Sequence, residues 1–159
     1  MSIALIPGSF DPVTNGHLDI VERTARKFDD VLVAVAGNPR KGPPLFTVAE
    51  RVAMLEAVTQ HLPRVSVQSF EGLLADFAVA RNVTAIVKGL RAVSDFDYEL
   101  QMAQLNSRLS GVDTLFMPTA PIHSFLSATL VREVASYGGD VSSMVPALVA
   151  QKLKERFSE

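Results

Sequence analysis

The stretch Ile3-Ala4-Leu5-Ile6-Pro7-Gly8-Ser9-Phe10-Asp11-Pro12-Val13-Thr14-Asn15-Gly16-His17 decides the fold. Ile3 to Ile6 is a short apolar run with strand character. An amphipathic helical pattern begins near His17 and carries Leu18, Ile20, Val21, Ala25 and Phe28 on one face as far as Phe28. A glycine-bearing loop between a buried strand and a helix N-terminus suits an anion, because the helix end offers unpaired N–H groups and the positive end of a dipole. Gly8 in that loop allows a ligand to approach the backbone closely. His17 on the first helical turn sets an imidazole N–H where a phosphate would lie. Alone, the segment also reads as a plain Asn15-Gly16 turn followed by a polar helix start.

Working outward, strand-like and helix-like segments alternate. Val31 to Ala36 is apolar and rich in β-branched residues, as a doubly buried strand is. Thr47-Val48-Ala49-Glu50 is a capping box opening a helix that turns Val52, Leu55 and Val58 inward and ends near His61-Leu62-Pro63. Val65 to Gln68 reads as a strand, Leu73 to Arg81 as a short helix and Ala85-Ile86-Val87 as an apolar strand core. Ser94 or Asp95 is expected to cap a long helix reaching Leu109, and Thr114 to Met117 is another strand. Ser127 begins a helix that stops at Gly138-Gly139, and Pro146 to Phe157 is the last helix. The pattern predicts an α/β, Rossmann-like, doubly wound parallel sheet of five strands with helices on both faces, closed by C-terminal helices, as a single domain over 1–159. In such folds ligands bind beyond the carboxyl ends of the strands.

Composition narrows the chemistry. The 159 residues are 48% hydrophobic, enough for one full core, and the formal net charge of −2 gives no global field for nucleic acid or an anionic membrane. There is no cysteine, which removes disulfides, thiolate metal sites and cysteine nucleophiles. His17, His61 and His123 lie far apart without metal-ligand spacing. No apolar run is long enough for a membrane span and no secretory leader is visible, so a cytoplasmic protein is expected.

Four segments could carry chemistry. The first is the loop with His17. The second is Asn38-Pro39-Arg40-Lys41, which also reads as a solvated loop. The third, Lys88-Gly89-Leu90-Arg91, follows the Ala85–Val87 strand core with two cations about a glycine, suited to phosphate oxygens. The fourth, Ser124-Phe125-Leu126-Ser127-Ala128-Thr129-Leu130-Val131-Arg132, offers a helix N-terminus, hydroxyls and an arginine, although Ser127 also reads as a simple cap. Together Lys41, Lys88, Arg91 and Arg132 would gather positive charge at one sheet edge for a ligand with several phosphates. The long helix adds an apolar stripe of Tyr98, Met102, Leu105 and Leu109, with Glu99 and Asn106 on another face as an adenosine-side candidate or merely a polar face. The sequence has no Walker loop, no Gly-x-Gly-x-x-Gly fingerprint after the first strand and no Gly-x-Ser-x-Gly elbow.

With these segments in view, the chain resembles the bacterial phosphopantetheine adenylyltransferases, in the nucleotidyltransferase superfamily with a (His/Thr)-x-Gly-His motif. Here that motif is Thr14-Asn15-Gly16-His17. The match runs through Pro7 to Pro12, Lys88 to Arg91, Asp95-Phe96-Asp97-Tyr98-Glu99 and the Ser127-Ala128-Thr129 helix start. The resemblance implies transfer of the adenylyl group of ATP to 4′-phosphopantetheine with Mg²⁺, the penultimate step of coenzyme A synthesis. It implies that His17 donates to the α-phosphate in the transition state. Ser9 and Phe10 would contact both substrates, and Lys41, Leu74 and Lys88 the phosphopantetheine. Gly89, Leu90, Arg91, Glu99, His123, Ser124, Phe125, Leu126, Ser127, Ala128 and Thr129 would bind ATP. No residue is implied as a metal ligand. A homohexamer and feedback by coenzyme A are implied as well. Ser9 stands where threonine is frequent, Ala128 and Thr129 replace two serines of a triple-serine stretch, and Lys88 appears where some members have arginine. These departures leave a side-chain role at position 128 open and trade a bidentate fork for a point charge at position 88. Alternatives are another small-molecule nucleotidyltransferase, acting on a nicotinamide nucleotide or forming cytidylyl products, and a nucleotide-sensing module without turnover.

Overall fold

Burial on both faces of the central strands organises the chain. The structure is a computed structural model and describes residues 1–37 and 42–159, with the backbone alone of Val93 and Ser94. In chain order its elements are β1 (Ile3–Gly8), α1 (Asn15–Ala25), β2 (Asp30–Ala36), α2 (Val48–Val58), β3 (Val65–Phe70), α3 (Leu74–Ala80), β4 (Ala85–Leu90), α4 (Val93–Ser110), β5 (Asp113–Pro118), a 3₁₀ turn at Pro121–His123, α5 (Ala128–Ser136) and α6 (Ala147–Phe157). The sheet is parallel throughout, in the order β3-β2-β1-β4-β5. Alternate side chains feed two cores. Ala4, Ile6, Val31, Val33 and Val35 meet Ile20, Val21, Leu55, Val131, Val149 and Leu153 on one face. Leu5, Leu32, Ala34 and Ile86 meet Ala78, Val83 and Val112 on the other.

The order reverses between β1 and β4, and the two strands part there. Their pairing stops at Ala4↔Ala85 and Leu5↔Ile86, whereas β1 stays paired with β2 through Gly8↔Val35 and β4 with β5 through Leu90↔Pro118. The C-terminal halves of both central strands therefore diverge into a cleft at the topological switch point. Pro7 lies in this unpaired stretch, where a residue without an N–H breaks no ladder to β4.

Several boundaries differ from the sequence reading. Lys88, Gly89 and Leu90 belong to β4 rather than following it, because the register with β5 runs on through them. Helix α1 starts earlier, at Asn15, and ends at Ala25, while Phe28 still packs on the core from the loop beyond. Helix α2 ends at Val58, before His61. Helix α4 opens at Val93 with Ala92 at the cap position and no side-chain cap, so neither Ser94 nor Asp95 starts it; it closes at Gly111 in the left-handed conformation. The expected capping box at Thr47 and Glu50 is present, with Oγ1 accepting from the Glu50 N–H at 3.1 Å and Oε1 from the Thr47 N–H at 3.1 Å. No helix among the described residues is long and apolar enough to cross a membrane.

Candidate active site

Two adjoining cavities occupy the cleft. The larger, about 420 Å³, is walled by Ile6 to Gly8 of β1, Val87 to Gly89 of β4, the start of α1, and His123, Leu126, Ser127 and Ala128. The smaller, about 210 Å³, runs from Ser9 and Ala36 past Phe70 and Leu74 to Met102 and Asn106 of α4. Pro7, Gly8, Lys88, Tyr98 and Glu99 belong to both walls. An apolar end with polar groups where the cavities meet suits a ligand with an organic arm and a phosphate.

The β1–α1 loop sets His17. Thr14 is the N-cap of α1, and its Oγ1 accepts from the His17 N–H at 3.3 Å. The His17 ring reaches back, so that Nδ1 accepts the backbone N–H of Thr14 at 3.0 Å. Histidine thus takes the place glutamate holds in an ordinary capping box. Because Nδ1 accepts, the ring proton sits on Nε2, which has no protein partner among the described residues. Burial, then the Arg91 and Lys88 cations, push the His17 pKa down from 6.5 to about 4. His17 is therefore a neutral imidazole and a fixed N–H donor at pH 7. The edge of the Phe10 ring packs against it, with centroids 5.0 Å apart at 71°.

Close packing explains two glycines. A Cβ on Gly8 would stand 3.0 Å from the Phe10 ring, so its small size makes room for that ring rather than directly for a ligand, as the sequence suggested. A Cβ on Gly89 would come within 3.1 Å of Ile20, so this glycine lets α1 lie close over β4.

The cations divide by role. Lys88 Nζ lies 3.4 Å from Glu99, and Arg91 lies 3.4 Å from Asp95 while donating to the Leu126 carbonyl at 3.1 Å. Both face the larger cavity. Arg132 does not: it donates to the Asp11 carbonyl at 2.6 Å and to Thr129 Oγ1 at 3.3 Å, bracing the loop from outside. The gathering of four cations is thus corrected by one, and Lys41, with the rest of Asn38 to Lys41, lies outside the described residues. Ser127 caps α5, its Oγ accepting from the Leu130 N–H at 3.1 Å, while Ser127 and Ala128 also line the cavity with His123 and Leu126. Ser124, Phe125, Thr129 and Leu90 stand outside both walls, and Phe125 is largely exposed. The α4 stripe splits: Tyr98 and Met102 reach the cavities, whereas Leu105 and Leu109 are 45% and 52% exposed.

Sequence reasoning missed several contributors. Thr14 was visible in the motif, and its cap role could have been found from the three-residue offset to His17. Asp95 and Thr119 also line the cavity. The carboxylate of Asp11 is buried and accepts the N–H groups of Leu45 at 2.8 Å and Phe46 at 2.9 Å. Among the described residues no cluster of three His, Cys, Asp or Glu could hold a metal ion.

A parallel sheet split at its switch point, with a neutral histidine on a helix N-terminus beside paired cations, is an arrangement suited to nucleotidyl transfer. A family model described as cytidylyltransferase-like matches residues 5–134. A solved structure from Vibrio parahaemolyticus, described as a candidate nicotinate-nucleotide adenylyltransferase, superposes with a TM-score of 0.69 at 17% identity. That alignment covers 99% of this chain and 95% of the other, and shows the shared fold. A phosphopantetheine adenylyltransferase of Streptomyces coelicolor is 58% identical over 156 residues, 98% of this chain and 98% of the relative. This chain belongs to the phosphopantetheine adenylyltransferase family.

Proposed function

We propose that the protein transfers the adenylyl group of ATP to 4′-phosphopantetheine, giving dephospho-coenzyme A and pyrophosphate, a step of coenzyme A synthesis. Family membership supports the reaction. The observation that carries the mechanism is His17, neutral, with Nδ1 occupied by the Thr14 N–H, leaving Nε2–H as a donor in a cleft flanked by Lys88 and Arg91. The acceptor phosphate, whose second pKa is about 6, is largely dianionic near pH 7 and needs no protein base. One of its oxygens attacks the α-phosphorus in line. The new P–O bond forms as the bond from the α-phosphorus to the bridging oxygen breaks, and pyrophosphate departs with that electron pair. His17 supplies a hydrogen bond to the α-phosphate oxygens as charge develops, and the fold supplies alignment.

In this reading the larger cavity takes ATP, with Phe10 at the phosphates, Ser9 beside them on the wall of the smaller cavity, and Gly89, Arg91, His123, Leu126, Ser127 and Ala128 around the nucleotide. The smaller cavity takes the pantetheine arm along Leu74, with Lys88 at its phosphate; by the family resemblance Lys41 would hold a phosphate near the reacting centre. Leu90, Ser124, Phe125 and Thr129 would act as neighbours that shape this wall. Glu99 pairs with Lys88 until a ligand phosphate replaces it. Mg²⁺ would be held by the phosphate oxygens of ATP and by water. The donor set fits this arrangement, since both carboxylates of the cavity, Asp95 and Glu99, already face cations. There the ion would offset phosphate charge. The exposed Leu100, Leu105 and Leu109 of α4 and Leu115 of β5 favour burial between copies, as in a homohexamer. A cytoplasmic location and feedback by coenzyme A, which carries the same pantetheine arm and adenylate, complete the proposal. The test is pyrophosphate release from ATP with 4′-phosphopantetheine. Robust release is expected. Release only with a nicotinate or nicotinamide mononucleotide acceptor overturns the substrate, and nucleotide binding without release overturns the activity.

A further inference from the structure

Among the described residues Arg51 is the most deeply buried charge, at 0% exposure on the inward face of α2. Buried guanidinium groups are normally matched by a carboxylate. Arg51 has none within ion-pairing distance among the described residues. It donates instead to three backbone carbonyls: Nη1 to Ser9 at 2.8 Å and to Ala36 at 3.0 Å, and Nε to Phe46 at 3.1 Å. Its Nη2 has no partner among the described residues.

The Ser9 contact has a geometric consequence. The Ser9–Phe10 peptide is trans, so its C=O and N–H point in opposite directions. With the carbonyl turned to Arg51, the Phe10 N–H points away from it. Phe10 lines the larger cavity, and among the described residues no acceptor stands against its N–H. Phe10 is also held at φ 50°, a left-handed conformation that a bulky side chain adopts only when its surroundings enforce it. The same turn presses the Phe10 ring on His17.

We propose that Arg51 is a positioning residue for the phosphate chain: it holds the Ser9–Phe10 peptide so that the Phe10 N–H is aimed into the cleft, and it keeps a buried positive charge behind that peptide. This rests on the nucleotidyl-transfer reading of the cleft, but not on the identity of the acceptor. The probes are pyrophosphate and adenosine, measured by calorimetry on wild type, R51K and R51M. R51K keeps the charge but lacks the planar fork that bridges three carbonyls. Pyrophosphate affinity is expected to fall roughly 10- to 100-fold in R51K, the worth of one hydrogen bond to a charged group, and further in R51M. Adenosine affinity should hold. Equal weakening of both ligands, or folded variants with unchanged pyrophosphate binding, overturns the proposal. Should neither variant fold, the wild-type amide resonance of Phe10 decides: a downfield proton shift on adding pyrophosphate supports the aimed N–H, and no shift overturns it. Failure of wild type to bind pyrophosphate at all overturns the functional reading together with this one. Binding that ignores Arg51 overturns only this one.

Discussion

The two walls of the cleft are built differently. On the α1 side, His17 is held by backbone: Thr14 caps the helix, the Thr14 N–H occupies Nδ1, and the Phe10 ring closes one flank. On the α4 side, Lys88 and Arg91 each stand 3.4 Å from a carboxylate at partly exposed positions, and Arg91 adds a single bond to the Leu126 carbonyl. Backbone bonds fix a donor before substrate arrives, which a group acting in the transition state requires. Loose ion pairs exchange partners, which suits groups that take up and release phosphate. Under the proposed function, this difference would separate a wall for chemistry from a wall for binding.

Replacing His17 is the strongest way to break this comparison. His17→Ala should lower turnover roughly 10²- to 10³-fold, about 3–4 kcal/mol in the barrier, while ATP affinity changes far less. Steady-state kinetics beside calorimetry check it, and a collapse of ATP affinity with intact turnover would move His17 to the binding wall. Next in size, Lys88→Ala should raise the phosphopantetheine KM roughly 10- to 100-fold with little change in ATP affinity. The substitution also strands Glu99 beside the phosphate, so K88A with E99Q should recover part of the loss, and a strictly additive double mutant would contradict the exchangeable pair.

The pH response sharpens the contrast further. The His17 pKa lies below its unfolded value of 6.5, so the unfolded chain takes up the proton first. Stability from the neutral ring is complete above about pH 6.5, falls as the pH drops towards 4, and is fully lost below that. Between pH 7.5 and 5 the wild type should lose on the order of 1–2 kcal/mol more than His17→Gln in urea unfolding. Any acid limb of kcat/KM near pH 6 then reports the acceptor phosphate, and an imidazole NMR titration of His17 centred near 6.5 would contradict the desolvated neutral ring. The smallest effect is expected from Ser127→Ala. Loss of the α5 cap should cost about 1 kcal/mol, read as a Tm decrease of roughly 2–4 °C in thermal unfolding.

Local signals made much of this legible. Apolar strands and capped helices announced the order of elements, and Thr14-Asn15-Gly16-His17 marked its histidine. The capping box at Thr47 and Glu50 was readable because capping is decided within four residues. Arg132 and Leu109 were misjudged for one shared reason. The cation pattern cannot say that Arg132 is spent on a carbonyl 121 positions away, and the stripe cannot say which of its residues meets a cavity. Arg51 lies on the face of α2 that carries Leu55 and Val58, and a charge in such a stripe was a signal left unread.

By itself the sequence determined the α/β alternation and the absence of a cysteine nucleophile, since each depends on residue type or short-range spacing. Tertiary structure alone decided that β1 and β4 part after Leu5 and Ile86 to open the cleft. It alone chose the His17 tautomer, the partners that hold Lys88 and Arg91, and the carbonyls gathered by Arg51. These depend on distances between segments far apart in the chain and on desolvation at their meeting point, and one-dimensional spacing records neither.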